Sequence, residues 1–301
     1  MKIAGLILRP FFLYSLAGMA TLSAYSYFQR YFEKTRSLDQ TPVLPKLMSS
    51  PRLEDSPWKN IWKSKYSRFT SFWGLMALLQ AYFRTGPLSI WWEDFFYSLA
   101  NYFPMTIAMH RSLSVLFGHS SWIVMGAVIL RLIPRPQSFF QKWYTNKKDT
   151  QWVWWTIGGY YVSSWLFNIA DFVNQSVLPM SILGQASESV VSQLINPEFN
   201  DILASLVGYI APCLTAPWWE EVLYRGFLLP ALILQMKYKW AIFWSGIIFS
   251  IHHMSPTAAI PLAVLGWTWG ILYAKSGNLL TTILVHAMWN SRVFLGSWLG
   301  L

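Results

Sequence analysis

Cysteine is almost missing from this chain: Cys213 stands alone among 301 residues. An internal disulfide is excluded, and so is a zinc site built on clustered thiolates. Charge is scarce as well, at 12% of residues, where soluble domains carry about a quarter. Acids number 13 against 23 Lys and Arg, and none follows Glu221 through Leu301. The run Ser297-Trp298-Leu299-Gly300-Leu301 holds no cysteine for a prenyl group. Neither an HExxH zinc signature nor a GxSxG nucleophile elbow is present, and no repeat or low-complexity tract stands out. Cys213 has no histidine beside it in sequence, so a packed core thiol is expected there and not a nucleophile.

In place of charge the chain has apolar residues, 54% of the total, and aromatics, 18%. They fall in runs too long for a water-soluble surface. The expected fold is all-α, a polytopic integral membrane helical bundle with roughly six to eight transmembrane helices, at about 20 apolar residues per span. The formal charge of +10 is concentrated in connections around Arg30 to Arg68 and Arg131 to Lys148. Next to apolar spans, that pattern fits loop orientation and contact with membrane lipid headgroups. No nucleic-acid binding module accompanies it, so no nucleic-acid partner is expected. Several of the 19 tryptophans stand near run ends (Trp58, Trp62, Trp143, Trp152, Trp218, Trp219), as interfacial belts require.

Composition divides the chain into an N-terminal apolar segment, 1–28, read as a span or anchor; a basic polar linker, 29–69; N-terminal membrane helices and loops, 70–200; and a motif-bearing core, 201–301. Thr70 to Phe83 and Trp91 to His110 are read as interfacial or re-entrant. Ser112 to Ile133, despite His119, and Trp152 to Ala170 are read as spans, and the polar stretch Asp171 to Asn200 as a loop outside the bilayer. Beyond it, Ile202–Trp219, Gly226–Gln235, Trp240–His253, Thr257–Ala274 and Leu279–Leu299 are expected to be helices with short polar breaks.

Glu220 and Glu221 are the last acids of the chain, at the end of one apolar run and the start of the next. Ionisable groups at membrane depth are costly and mark function by default. At about 100° per residue, Glu221 and Arg225 share a helical face and can pair, while Glu220 points elsewhere. The competing reading is a charge cluster snorkelling from a helix end. Phe249 with His253 and His286 with Asn290 repeat the four-residue spacing inside apolar segments. Two histidines, an amide and a carboxylate in successive spans need mutual partners, and one polar cavity would supply them. His252, about 100° from His253, is expected to face away.

Glu220-Glu221-Val-Leu-Tyr-Arg225 matches EExxxR, Phe249-Ser-Ile-His252-His253 matches FxxxH, and His286-Ala-Met-Trp-Asn290 matches HxxxN. In this order, over about Asp201 to Ser297, the chain resembles the CAAX-protease and bacteriocin-processing family of intramembrane endopeptidases, also called the Abi family. The resemblance implies that Glu220 and His253 activate a water while His286 and Asn290 stabilise the oxyanion, with Glu221, Arg225 and Phe249 in support. Elementary chemistry permits the same roles, since a buried carboxylate can act as general base and an amide can donate to developing charge. The stretch Gly277-Asn278-Leu279-Leu280-Thr281 through Trp289-Asn290-Ser291 looks more like plant and algal plastid members than the endoplasmic-reticulum enzyme. That implies a multi-pass protein of a plastid thylakoid or envelope membrane, and makes prenylated CAAX proteins doubtful substrates.

The expected activity is hydrolysis of a peptide bond in a membrane-anchored or lipidated protein, with no cofactor required. A divalent metal such as zinc stays open, held by Glu220, His253 and His286 if by any set. Two other classes also stay open. One is a non-proteolytic membrane scaffold or assembly factor that retains the helical core and binds a membrane complex. The other is a transporter, less favoured because no paired halves with matching broken helices are visible.

Overall fold

The computed structural model describes residues 88–132, 151–179 and 190–299, with a few isolated positions before residue 88. The readings of 1–28, 29–69, most of 70–83 and the basic connection 134–150 lie outside the described residues. Among the described residues there is no strand. The helices are α1, 88–99; α2, Ile107–Leu132; α3, Gln151–Val177; α4, Val190–Ile195; a long helical run α5, 202–235; α6, Tyr238–His252; α7, Ala259–Ser276; and α8, Leu279–Trp298. Ile107–Arg131, Ile202–Ile233 and Pro256–Ser276 are long and apolar enough to cross a membrane. Val124 and Val128, one turn apart on α2, are more than half exposed, an apolar face that lipid can cover. The described residues are all-helical, and the chain is a membrane protein.

Two compact units divide the described residues: 151–179 with 224–285, and 88–132 with 190–223 and 286–299. In the first, α7 packs against both α3 and α6. The α6–α7 crossing depends on two glycines. A Cβ on Gly266 would stand 2.7 Å from the Cα of Gly246, so the backbones approach as closely as small residues allow in membrane helices. Across the α3–α7 contact, Trp269 Nε1 donates to Ser163 Oγ at 2.9 Å, and Asn174 Nδ2 donates to the Thr257 carbonyl at 2.6 Å. The last of these explains a departure from the sequence reading: α3 continues to Val177 because Asp171, Asn174, Gln175 and Ser176 find hydrogen bonds in or beside the helix. Between α7 and α8, Gly277 adopts φ 63° and returns its N–H to Tyr273, and Asn278 Oδ1 accepts from the Leu280 N–H at 2.9 Å. This is a left-handed helix stop followed by an Asn cap.

In the second unit, α2 packs along the first half of α5. Ser112 Oγ donates to the Ala204 carbonyl at 2.7 Å, opposite Gly208, where a Cβ would meet the same hydroxyl at 3.0 Å. Further along, Trp122 and Trp219 stack edge to face at 6.0 Å. A Cβ on Gly126 would lie 2.2 Å from Trp219 Cζ2. Gly126→Ala should therefore destabilise by about 1–3 kcal/mol, although alanine in an open helix would gain about 1 kcal/mol over glycine. A thermal melt in detergent checks the sign; an unchanged or raised midpoint would mean that α2 does not close on Trp219. The stretch read as an external loop supplies core here, since Leu194 and Ile195 of α4 are buried with Cys213 and Phe294. Cys213 is a packed core thiol, as its sequence context implied.

Asp201 opens α5 as its N-cap. Its Oδ1 accepts from the Ala204 N–H at 3.0 Å, and the Thr106 hydroxyl donates to Oδ2. The Thr106 hydrogen bond, followed by the Ala204 N–H, holds this carboxyl below its ordinary value. A native value below the unfolded one means stability that is full above about pH 4 and is lost as pH falls through the lowered value. The difference in melting temperature between wild type and Asp201→Ala should be largest near neutrality and should close on acidification below about pH 4. A difference independent of pH would contradict this.

Candidate active site

Glu220 and Glu221 lie in mid-helix and not at a break between two spans. The run 202–235 stays helical throughout because its irregularities are absorbed by two π segments, Ala211–Thr215 and Val222–Leu228. Pro212 and Pro217 account for the first. Pro217 has no N–H to return to the carbonyl one π turn earlier, so the Pro212 oxygen needs a donor from elsewhere. Asn290 Nδ2 supplies it at 2.7 Å. A carbonyl partner also settles which end of the amide is nitrogen.

In the same unit His286 Nδ1 lies 3.1 Å from Glu221 Oε1. Both residues are essentially inaccessible, 2% and 0% exposed, which removes the snorkelling alternative. A ring nitrogen donating to a carboxylate is held in one orientation and one tautomer. Glu220, 9% exposed, precedes Glu221 on the α-helical segment Ala216–Glu221, about 100° around it. Glu220, Glu221, His286 and Asn290 thus belong to one compact unit.

Arg225, Phe249 and His253 belong to the other. Arg225 is fully buried; its Nη2 donates to the Gly266 carbonyl at 3.0 Å. The guanidinium also sits over the rings of Phe249 at 5.0 Å, Trp269 at 5.5 Å and Tyr224 at 5.7 Å. The turn carrying Arg225 is π-helical, and Glu221 and Arg225 each also have a partner on a later helix, His286 and Gly266. His253 is the C-cap of α6, with Nδ1 2.8 Å from the Phe249 carbonyl and its ring 4.6 Å from the Phe249 ring. His252 turns toward Tyr224, ring to ring at 5.9 Å. Among the described residues, neither unit brings three His, Cys, Asp or Glu side chains close enough to hold a metal ion.

Sequence reasoning found the motif residues and missed their anchors. Gly266 carries no chemical signal of its own. Two prolines five residues apart before Glu220 were a readable sign that a backbone carbonyl would need an outside donor.

A membrane-embedded helical protein with a buried carboxylate–imidazole pair and an amide tied to a helix backbone fits a hydrolase of the bilayer. Residues 202–292 match the family described as type II CAAX prenyl endopeptidase Rce1-like, from the start of α5 to the second half of α8. The chain is also similar to the Bacillus subtilis protein named "Putative membrane peptidase YdiL", 22% identical over 175 residues. The match takes in 58% of this chain and spans 66% of that relative's length. No solved structure matches.

Proposed function

We propose that this chain is a glutamate-dependent intramembrane endopeptidase of the CAAX-protease and bacteriocin-processing type. Glu220 and His253 hold a water; Glu220 takes its proton as the hydroxyl attacks the scissile carbonyl. His286 and Asn290 receive the oxyanion, and collapse expels the amine, which takes the proton back from Glu220. With Nδ1 engaged by Glu221, His286 works through Nε2. Asn290 gives one N–H to Pro212 and keeps the second for the oxyanion. Arg225 and Phe249 support His253 from within their own unit. The reaction needs no cofactor.

The observation that carries this reading is the buried Glu221–His286 contact inside the segment that matches an endopeptidase family. A binding scaffold would have no need to orient an imidazole with a buried carboxylate. The substrate is a membrane-anchored or lipidated protein cut near the bilayer surface, and the location is a plastid membrane, thylakoid or envelope. The test is cleavage of a mixed panel of membrane-anchored and lipidated peptides by purified wild type and Glu220→Ala, each with and without chelator. Cleavage by wild type alone supports the peptidase, and chelator sensitivity would add a divalent metal. No cleavage, with equal binding of a membrane-complex partner by both proteins, would replace it with the scaffold.

A further inference from the structure

His119 is a polar residue in mid-α2 that the proposed reaction does not use. Its ring packs edge to face on Trp122 at 5.5 Å, and with Trp122 and Gly126 it repeats at three and seven residues along one face of α2. That face meets Thr215 and Trp219 of α5, the turns leading directly to Glu220.

The ring's two nitrogens are in different situations. Nδ1 lies 3.2 Å from Thr215 Oγ1, and that hydroxyl is 3.3 Å from the Ala211 carbonyl, to which it donates. With its proton committed there, the Thr215 oxygen accepts from Nδ1–H, leaving Nε2 as the lone-pair nitrogen. Among the described residues Nε2 is buried and has no hydrogen-bond partner, a costly condition for a polar atom. Glu220 is the residue after Trp219, whose ring packs on Trp122 of this same face, and its charge acts on the His119 ring.

A lone pair and a carboxylate have no proton to share, so the resting state leaves Nε2 without a bond. Once Glu220 carries the proton taken from water, its O–H is a donor and Nε2 is the acceptor that suits it. We infer that His119 is a positioning residue for Glu220, anchored through Nδ1 on Thr215 and accepting through Nε2 from the protonated carboxyl that exists only after water attack. The inference rests on the peptidase reading. The proton stays on Glu220 and leaves with the amine; His119 contributes a hydrogen bond and transfers nothing. An interaction made only after the attack raises kcat and leaves substrate binding unchanged.

The test compares His119→Asn, His119→Phe and His119→Gln with wild type on a cleaved peptide of the panel, all in detergent and checked for a single folded species by elution and thermal melt. Asn reaches only to the Nδ1 position and Phe to neither, whereas the Gln carbonyl reaches the Nε2 position and can accept. Expected is a loss in kcat of about two- to tenfold for Asn and Phe, the effect of one hydrogen bond between neutral groups, with KM unchanged and most of the rate restored in Gln. Wild-type kcat in His119→Phe, a change confined to KM, or a Gln variant as slow as Phe would overturn it. A second readout does not depend on turnover: the Nε2 resonance of His119 in wild type and in Glu220→Gln, at one pH. A shift supports the contact and its absence overturns it. If wild type cleaves no peptide, the peptidase reading fails and the resonance alone decides whether His119 faces Glu220.

Discussion

Glu220→Gln should lower kcat by about 10²- to 10⁴-fold, the usual worth of a positioned general base, with the melting temperature unchanged or raised. Glutamine keeps the shape and one acceptor oxygen of the carboxyl but cannot take a proton from water. Stability should not suffer, because a carboxylate that is 9% exposed loses hydration on burial, and a neutral amide avoids that cost. The pairing of the two measurements is what discriminates. A residue that merely holds the helix together would lose stability together with rate. Turnover in Glu220→Gln within tenfold of wild type would remove Glu220 from the base role.

Arg225→Ala should cost about 3–5 kcal/mol, the range for removing one member of a buried, hydrogen-bonded charge arrangement, and the expression level of folded protein should fall with it. The guanidinium has no exposed surface and bridges two helices of its unit: it donates to Gly266 of α7 and lies over Phe249 of α6 and Trp269 of α7. Its removal leaves the Gly266 oxygen without that donor and opens a cavity among three aromatic rings. Arg225→Lys should recover only part of the loss, since an ammonium lacks the planar face that stacks on rings and is more strongly hydrated. Denaturant titration in detergent measures both. A loss below about 1 kcal/mol for Arg225→Ala would mean that the aromatic surround closes over the gap, and would overturn the bridging role.

The helices from α5 onward were legible because each is a run of apolar residues with turn residues between, and Gly277-Asn278 was a readable stop and cap. The apparent break at Glu220 was misread for a physical reason. Charge in an apolar run looks like a helix end when its partners are out of view, whereas Glu221 meets His286 and Arg225 meets the Gly266 carbonyl on later helices, and the helix runs on. The polar stretch after Ala170 was misread in the same way, because Asn174 bonds to a carbonyl 83 positions ahead and the short α4 buries Leu194 and Ile195 where its composition suggested solvent.

The sequence by itself determined the membrane class and the helical state, and it supplied the candidate residues for the proposed chemistry. Those depend on hydrophobicity and on spacings of three to five residues, which act locally along the chain. Tertiary structure decided who partners whom: Glu221 with a histidine 65 residues away, Asn290 with a proline carbonyl 78 residues back, and His119 with Thr215 across 96. A buried polar atom takes the nearest partner in space, and helix crossing at glycines and π turns sets that distance without leaving a periodic trace in the chain.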